Sequence, residues 1–542
     1  MSIGILNTAL SGLAAFQRSL ETTSNNISNV NTEGYSRQRA EFATRPEQYT
    51  GNGYLGVGVE IANITRSYDQ FITGQVRTSS SAFSEVDSYH SLASEIDNLF
   101  AGDSTGLPVA MKSFFNAIND MAKDPNSTPV RKVLLSEADS MAKQFNTMGN
   151  RLDEIGEQVN SNLGSAVDDL NNYAAGIAAL NVQIVDAIGR SQGQQMPNEL
   201  LDRRDELLRK AAEKIDISVV NQTDGSVSVF IGQGQRLVQG NYAATLAIQP
   251  SSTDPFRQEI MLNGENISSR LSGGEINGNV RFRDEVLEPS RQQLGGLAAG
   301  LSLVFNDLHK NGIDLNGDQG LAMFNLDAGT SIPVSGGSAG TVTATYLAPV
   351  PNTPPLPPKA LLQASDYLYD ADSGILTRLS DNTAVNASDE GFDIDPSGAV
   401  AGEKYLIRPA FYAAQRIKMD ITDPRKVAAA QDVNSVPGDN RNALTLASLE
   451  SQAVMQNGKT TITQVYGQLV AEVGGMTHSA LISRSAQQVL LDNANTAKEN
   501  LAGVNLDEEA ANLIKFQNSY QAAAQAASVA RSIFDTLIGA VR

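Results

Sequence analysis

Both ends of this chain carry an apolar stripe with helical spacing. Near the C-terminus the stripe consists of residues three or four positions apart, namely Leu513, Phe516, Tyr520, Ala523, Ala527, Ala530, Phe534, Leu537 and Val541. Near the N-terminus the same spacing recurs at Ile3, Leu6, Leu10, Leu13, Phe16 and Leu20, and Ile27 continues this face after Ser24 has taken one position. Two such stripes predict that the terminal helices pack against each other or against copies of themselves. Periodicity alone also fits two ordinary amphipathic core helices.

The C-terminal stripe is rich in Ala, which allows close helix approach but buries little apolar area per residue. An isolated helix is also only marginally stable in water, so such a helix gains most of its stability from packing against a neighbouring helix. We therefore predict that both ends are disordered in the monomer and fold on assembly. The predicted assembly interface comprises Leu6, Leu10, Leu13, Phe16, Leu20, Leu513, Phe516, Tyr520, Ala527, Phe534 and Leu537.

Composition narrows the class of protein. At 542 residues the chain is long enough for several domains. Its net charge of −20 disfavours nucleic acid as a partner, because phosphate binding requires a basic face. The absence of cysteine excludes disulfides and thiolate metal sites. No apolar run reaches the roughly 18 residues needed to cross a bilayer, so we expect a soluble protein without a membrane partner. Its first residues lack the pattern of a cleaved signal peptide.

The order of periodic segments predicts an α+β multidomain fold. The terminal α-helices form a coiled-coil-like inner core, followed by an elongated helical bundle and two inserted β-rich outer domains. The predicted boundaries are 1–60 and 500–542 for the terminal core; 61–213, 284–317 and 431–499 for the bundle; 214–283 for the first β-rich domain; and 318–430 for the second β-rich outer domain.

Local signals give these boundaries. The apolar face from Leu134 to Ile188 predicts one very long helix or two abutting ones, and Asp124-Pro125 ends the helix before it. Asp224-Gly225 between alternating strands predicts a hairpin. The run of prolines between 349 and 358 predicts a linker or surface loop. The charged run from Asp202 to Glu206 favours a solvated or interfacial face over a charge relay.

Motifs for catalysis or metal binding are weak. The three histidines stand in no His-Glu-x-x-His motif, and the sequence contains no phosphate loop or nucleophile elbow. Residues 311–318 resemble the start of a calcium loop, but Gln319 replaces the required Gly and Asn325 replaces the bidentate Glu. We therefore predict no enzyme activity, no cofactor and no metal, and leave open whether Asp314 to Asp318 holds an ion or makes a turn.

A polar segment follows the first helix, from Ser24 to Gln38. Its Asn, Ser, Thr and Gly residues predict a turn that ends the helix. The segment also resembles the signature of the axial proteins of the bacterial flagellum, the rod, hook and hook-associated proteins. The residues that carry this resemblance are Asn25, Asn26, Ile27, Asn29, Asn31, Thr32, Gly34 and Tyr35. Among these proteins the chain is most similar to the hook-associated members at the first junction of hook and filament.

The resemblance implies a structural adaptor that is exported through the flagellar type III system without a cleaved signal peptide and assembles at the distal end of the hook. It would be extracellular and contribute to motility. It implies four kinds of partner: copies of the chain itself in a helical oligomer, the flagellar hook protein, the second hook-filament junction protein, and a cytoplasmic export chaperone at the C-terminal helix. Residues 327–425 match the family poorly.

Two alternatives remain at this point. Another axial subunit, a hook or distal rod protein, carries the same terminal signature, although the long bundle between Ser84 and Ile188 argues against it. Alternatively, an axial frame carries a binding or enzymatic outer domain in residues 318–430.

Overall fold

The computed structural model describes residues 2–49, 53–102, 106–252, 254–326, 331–332, 334–337, 339–352 and 357–541. Long helices dominate it. They are α1 (Ser2–Ser28), α2 (Gln70–Phe100), α3 (Leu107–Lys123), α4 (Thr128–Arg190), α5 (Asn198–Lys214), α6 (Gly274–Phe282), α7 (Glu288–Lys310), α8 (Ala413–Arg416), α9 (Arg441–Ser448), α10 (Ile462–Ala502) and α11 (Leu506–Val541). None of the helices in these ranges combines the length and the apolar character that a membrane span requires.

Helix α4 is the backbone of the bundle. Its 63 residues form one continuous helix, which at 1.5 Å per residue is about 95 Å long. Ser127 caps its start by accepting a hydrogen bond from the backbone N–H of Val130. The apolar face predicted between Leu134 and Ile188 is buried over most of its length, from Leu134 to Ile184. Of the two predicted possibilities, a single helix is therefore the correct one, and α3 ends at Lys123, immediately before the predicted stop.

Helices α2 and α10 run antiparallel along the bundle. The Tyr466 hydroxyl donates to the carbonyl of Phe100, and Arg484 pairs with Asp87 near the opposite end of the contact. Beyond Ala480, α10 turns its apolar residues Ile482 and Val489 to solvent. Here the helical spacing predicts the helix but not the buried face, because α10 meets α2 on its other side.

Four short strands follow α1 near the N-terminus. Strands β1 (Gln38–Thr44) and β4 (Val59–Arg66) pair antiparallel, as do β2 (Gln48–Tyr49) and β3 (Tyr54–Leu55).

Two small sheets form the first β-rich region. The first β-rich region contains β5 (Ile217–Asn221), β6 (Val227–Ile231), β7 (Gln235–Gln239) and β8 (Tyr242–Ala243) in one sheet, and β9 (Leu246–Pro250), β10 (Gln258–Leu262) and β11 (Glu265–Asn266) in another. Helix begins at Gly274, ten residues before the predicted domain boundary at 284, and continues through a π-helical turn, Arg283–Leu287, into α7.

The second β-rich region surrounds a five-stranded sheet. Its strands are β12 (Phe324–Asn325), β13 (Ser331–Ile332), β14 (Val334–Gly336), β15 (Thr341–Tyr346), β16 (Tyr367–Asp370), β17 (Ile375–Arg378), β18 (Thr383–Val385), β19 (Phe392–Gly398), β20 (Lys404–Ile407) and β21 (Lys418–Met419). The order in the largest sheet is β14-β20-β16-β17-β18. Of the predicted proline loop, residues 353–356 lie outside the described residues, and Val350 and Lys359 on either side form a β-bridge.

Buried polar contacts fasten this outer region to the bundle. The Asn146 amide on α4 lies 2.9 to 3.0 Å from the carbonyl oxygens of Ala414, Gln415 and Ile417. Arg408 forms ion pairs with Asp254 at 2.7 Å and Asp366 at 3.0 Å, and all three side chains are buried. The two β-rich regions thus meet each other as well as the bundle.

Candidate functional site

The terminal helices α1 and α11 pack against each other antiparallel. Gly12 lies opposite Ala523, where a Cβ atom on the glycine would sit 3.7 Å from the Cβ of Ala523. The helix axes can approach this closely because the residues between them are small. The buried face of α1 consists of Ala9, Ser11, Gly12, Ala15, Ser19, Thr22, Thr23 and Asn26.

The leucine stripe of α1 lies on another side of the helix. Leu6, Leu13, Phe16 and Leu20 are half-buried, and Leu10 is 51% exposed. The ends of the chain therefore pair as predicted, but the expectation that the two apolar stripes face each other is wrong for α1. Close contact with the Ala-rich helix α11 selects the small residues of α1, and the larger leucines are left at the side.

On helix α11, part of the predicted stripe is buried. Leu513, Phe516, Ala523 and Ala527 are half-buried, and Ala530 is fully buried. Tyr520 and Phe534 are each 38% exposed, and the side chain of Leu537 lies outside the described part of the structure.

A hairpin closes one side of this pair. Phe42 on β1 lies with its ring centroid 6.0 Å from Phe16 and 6.2 Å from Phe516, so it contacts both terminal helices. The backbone N–H of Val59 donates to the Ser11 hydroxyl at 3.2 Å. Gly58 has a φ of +107°, and a Cβ atom there would lie 2.0 Å from the Ser11 oxygen, so only glycine fits this contact.

Asn26 is the centre of the polar turn after α1. Its side-chain amide donates to the carbonyl of Gln38 at 2.9 Å and to the carboxylate of Glu509 at 3.1 Å. Its side-chain oxygen accepts from the Tyr35 hydroxyl at 2.8 Å and from the Gln38 N–H at 3.0 Å. Because the residue is buried, all four hydrogen bonds replace contacts with water. One side chain thus holds α1, the turn and α11 together.

The other motif residues shape the turn around Asn26. The Asn29 amide donates to the carbonyl of Asn25, and the Thr32 hydroxyl donates to the Asn29 side chain at 3.1 Å. Gly34 has a φ of +79° and packs on α5, where a Cβ atom would lie 3.1 Å from the Cβ of Glu206. Asn25 and Asn31 are exposed and Ile27 is half-buried.

Arg37 adds a second link between the turn and α11. Its guanidinium pairs with Glu508 at 2.7 Å and with Glu509 at 2.8 Å, and Glu509 is only 2% exposed. The Arg37 backbone N–H donates to the carbonyl of Ala502 at the end of α10. Sequence reasoning missed both acids, because nothing near Glu508 or Glu509 in the chain indicates a partner more than 450 residues away.

The turn is also fastened to the bundle helix α5. The backbone N–H of Ser36 donates to the Asp202 carboxylate at 3.0 Å, and Arg66 pairs with Asp202 at 2.8 Å and with Asp205 at 2.7 Å. Burial raises the pKa of Asp202, and burial together with the charges of Asp202, Glu199 and Glu509 raises the pKa of Tyr35 to about 12. The Asp202 to Glu206 run is thus an interface and not a solvated face, except at the exposed Arg203.

These contacts join seven residues of one chain into a cluster, which we call the terminal clip: Asn26, Tyr35, Ser36, Arg37, Arg66, Asp202 and Glu509. Its charged groups are held by neighbouring charges or backbone N–H groups, so the clip suits mechanical coupling of the terminal helices to the bundle.

At the calcium-like loop, the Asp314 carboxylate accepts hydrogen bonds from the backbone N–H groups of Asn316 and Asp318, which makes a turn. Within the described residues, no group of three or more His, Asp or Glu side chains is placed to hold a metal ion.

Comparison with known proteins gives family matches along the chain. The model described as the helical domain of flagellar hook-associated protein FlgK matches residues 93–324. A model of flagella basal body rod proteins matches residues 6–35, and one of the C-terminal part of the flagellar basal body rod proteins FlgEFG matches residues 500–540. The two rod models thus cover most of both terminal helices and, of the clip, Asn26, Tyr35 and Glu509.

The chain is similar over almost its full length to known flagellar proteins. The chain is 32% identical to flagellar hook-associated protein 1 of Salmonella typhimurium, over 98% of this chain and 99% of that protein. It is 31% identical to flagellar hook-associated protein 1 of Escherichia coli, with the same coverage. The flagellar hook junction protein FlgK from Burkholderia pseudomallei has a similar fold, with a TM-score of 0.68 at 21% identity over 79% of this chain and 100% of that one.

Proposed function

Because the chain belongs to the flagellar hook-associated protein 1 family, we propose that it is a structural subunit that joins the flagellar hook to the filament. The observation that carries this proposal is the arrangement of the terminal helices. They pack against each other through small residues. Large apolar side chains of both helices, among them Ile5, Leu10, Ile514 and Phe534, remain exposed. Exposed apolar surface of this kind marks a site of association.

In this proposal the terminal helices form the inner layer of a short tier made of several copies. The remaining leucines of α1 and the outer side of α11 supply contacts between copies. The hook protein binds on one side of the tier and the second hook-filament junction protein on the other. The terminal clip would transmit load from that layer to the bundle, because it ties both terminal helices to α5 by buried hydrogen bonds and ion pairs.

The predicted division of the chain fits such a subunit. We propose a terminal core near the axis, the bundle around α4 next to it, and the two β-rich regions farthest out. The paired ends support this order, since segments inserted between two paired termini have to extend away from them.

Export would precede assembly. We propose that the chain passes through the flagellar type III system without a cleaved signal peptide, that a cytoplasmic chaperone covers α11 before export, and that the mature protein is extracellular. The support for a chaperone is the apolar surface of α11, where Ile514, Val529 and Ile533 are exposed. A helix with this surface invites premature association inside the cell.

A structural role fits this chain better than a catalytic one. Its most distinctive polar cluster, the terminal clip, has its groups engaged in hydrogen bonds and ion pairs between segments. We therefore propose that the protein has no enzyme activity. Among axial proteins, the hook-associated assignment is favoured over a rod or hook subunit because the rod models match only the two ends of the chain.

Electron microscopy of cells that lack this chain, with a parallel assay for flagellin in the medium, tests the proposal. We expect complete hooks without filaments and leaked flagellin, and restoration of filaments by the wild-type chain. Absent hooks would assign the protein to the rod or hook, and normal flagella would contradict an axial role altogether.

A further inference from the structure

The C-terminal end of α11 extends past its partner helix. The opposed pairs Asn26 with Glu509 and Gly12 with Ala523 each have positions that add to 535, so Ser2, the first residue of α1, lies level with residue 533. Burial agrees with this register. Ala530 is fully buried, whereas Phe534 and Ile538 beyond it are 38% and 45% exposed. We call residues 534–541 the overhang.

The overhang presents large apolar side chains, and no helix among the described residues lies opposite them. Phe534 and Ile538 are four residues apart and so lie on one face. This face continues the one that α11 turns toward α1 over the rest of its length, where Phe516, Ala523 and Ala527 lie. Within the described part of the chain, the overhang is therefore a helix end without a partner helix.

A matching groove lies on the same helix pair. It has a volume of about 770 Å³ and is bounded by Phe16 of α1 and by Leu55 and Val59 of the hairpin. The rest of its lining is mostly small residues, among them Gly4, Ala9, Gly12, Ala522, Ala523 and Ala526. Small residues in the floor and apolar walls suit the insertion of large apolar side chains.

The overhang cannot fill the groove of its own chain. Both lie on the continuous helix α11, and the 12 residues from Ala526 to Ile538 hold them about 18 Å apart along its axis. A helix without a break cannot fold back over that distance. If an overhang fills this groove, it therefore has to belong to a second copy.

We propose that the overhang of one copy inserts into the groove of the next, with Phe534 and Ile538 packed over Ala522, Ala523 and Ala526. The contact uses two different surfaces of the chain, so it is heterologous and continues from copy to copy into a ring or helix. This inference rests on the proposed assembly of the chain into a tier and names the contact that builds it.

Site-specific cross-linking tests the contact directly, because the natural chain contains no cysteine. Cells that lack the wild-type chain would express two full-length variants together, Ile538→Cys and Ala526→Cys, and their isolated flagella would be treated with a short bismaleimide. We expect a cross-linked dimer. Replacing the first variant with Thr536→Cys, on the opposite side of the overhang, should abolish the dimer. A dimer of equal yield in both mixtures, or none in flagella that contain both variants, would overturn the proposal.

A plugged groove gives a second test that does not need cysteine. Ala526 and Gln525 are both exposed, but only Ala526 lines the groove. We expect Ala526→Phe to be exported yet lost from the junction, whereas Gln525→Phe incorporates as the wild-type chain does. Equal incorporation of both variants would overturn the contact and leave the junction role intact. That role fails separately, if cells without the chain have normal flagella.

Discussion

The side-chain amide of Asn26 donates a hydrogen bond to the carboxylate of Glu509, and so joins residues 483 positions apart in the chain. The contact is buried and lies where α1 ends and α11 begins. It makes the two termini one unit, and Arg37, which pairs with the same carboxylate, connects that unit to the turn.

Replacing Asn26 with Ala should weaken assembly. The change leaves the Gln38 backbone groups and the Tyr35 hydroxyl without their partner, at a cost of about 1–3 kcal/mol for each buried group left unpaired. We expect the fraction of variant chains found at the junction to fall about tenfold or more. Asn25→Ala is the matched control because Asn25 is exposed, and the two variants should melt alike in the bundle. Equal incorporation of both would contradict the role of Asn26.

Phe516→Asp should block incorporation while the bundle stays folded. Phe516 meets Phe42, which in turn contacts Phe16, so the substitution would replace the aromatic contact that closes the pair with a charged group. Phe534→Asp should have the same effect for a different reason, since it charges the overhang. Gln517→Asp on the exposed side serves as the control. Immunoblots of purified flagella and circular dichroism of the secreted chains report the two properties, and normal incorporation of Phe516→Asp would show that the aromatic contact is dispensable.

Asp202→Ala should loosen the hairpin from α5. The Ser36 N–H loses its acceptor and Arg66 keeps only Asp205, which costs about 1–3 kcal/mol of local stability. Amide hydrogen exchange in strands β1 and β4 should then quicken in assembled junctions. Arg203→Ala, next to it on the exposed side of α5, should leave the exchange unchanged. If both variants exchanged at the wild-type rate, the turn would be held by other contacts.

Stability should depend on pH through His309. Burial lowers the pKa of this imidazole to about 4, and its ring nitrogens lie at the carbonyl of Leu321 and at the backbone N–H of Ala428, which donates to Nε2. The folded pKa is below the unfolded value of 6.5, so the contribution is present above pH 6.5 and is lost as the pH falls toward 4, by about 3 kcal/mol.

Denaturant unfolding of His309→Gln measures this contribution. Its stability should decline less than that of the wild-type chain between pH 6.5 and 4, whereas the exposed His478→Gln should follow the wild-type chain. Parallel pH dependence of all three proteins would contradict the assignment to His309.

The sequence predicted what depends on local pattern. A long apolar face predicted α4 as one helix or two abutting ones, Asp124-Pro125 predicted the end of α3, and Asp224-Gly225 predicted the turn between β5 and β6. The clip could not be predicted from pattern, because Asn26, Asp202 and Glu509 belong to distant segments and each alone is an ordinary polar residue. The buried face of α1 was missed for another reason. Apolar periodicity predicts that the leucine face is buried, whereas the close approach of α11 at Gly12 requires the face with small residues.

The same distinction explains the exposed stripe of α10. Ile482 and Val489 are seven residues apart and lie on one face of α10, yet both are exposed in the single chain. Apolar periodicity predicts that a helix face is buried, but it does not show whether the same chain or another molecule buries it. The leucine stripe of α1 is likewise incompletely buried in the single chain, and in the proposed assembly another copy covers it.

Amide hydrogen exchange of the wild-type chain, measured on the dilute monomer and on isolated junctions, tests whether the terminal helices complete their packing only between copies. We expect unprotected amides in residues 6–20 and 513–541 of the monomer and strong protection of the same amides in the junction. Protection of both segments in the monomer would contradict this expectation.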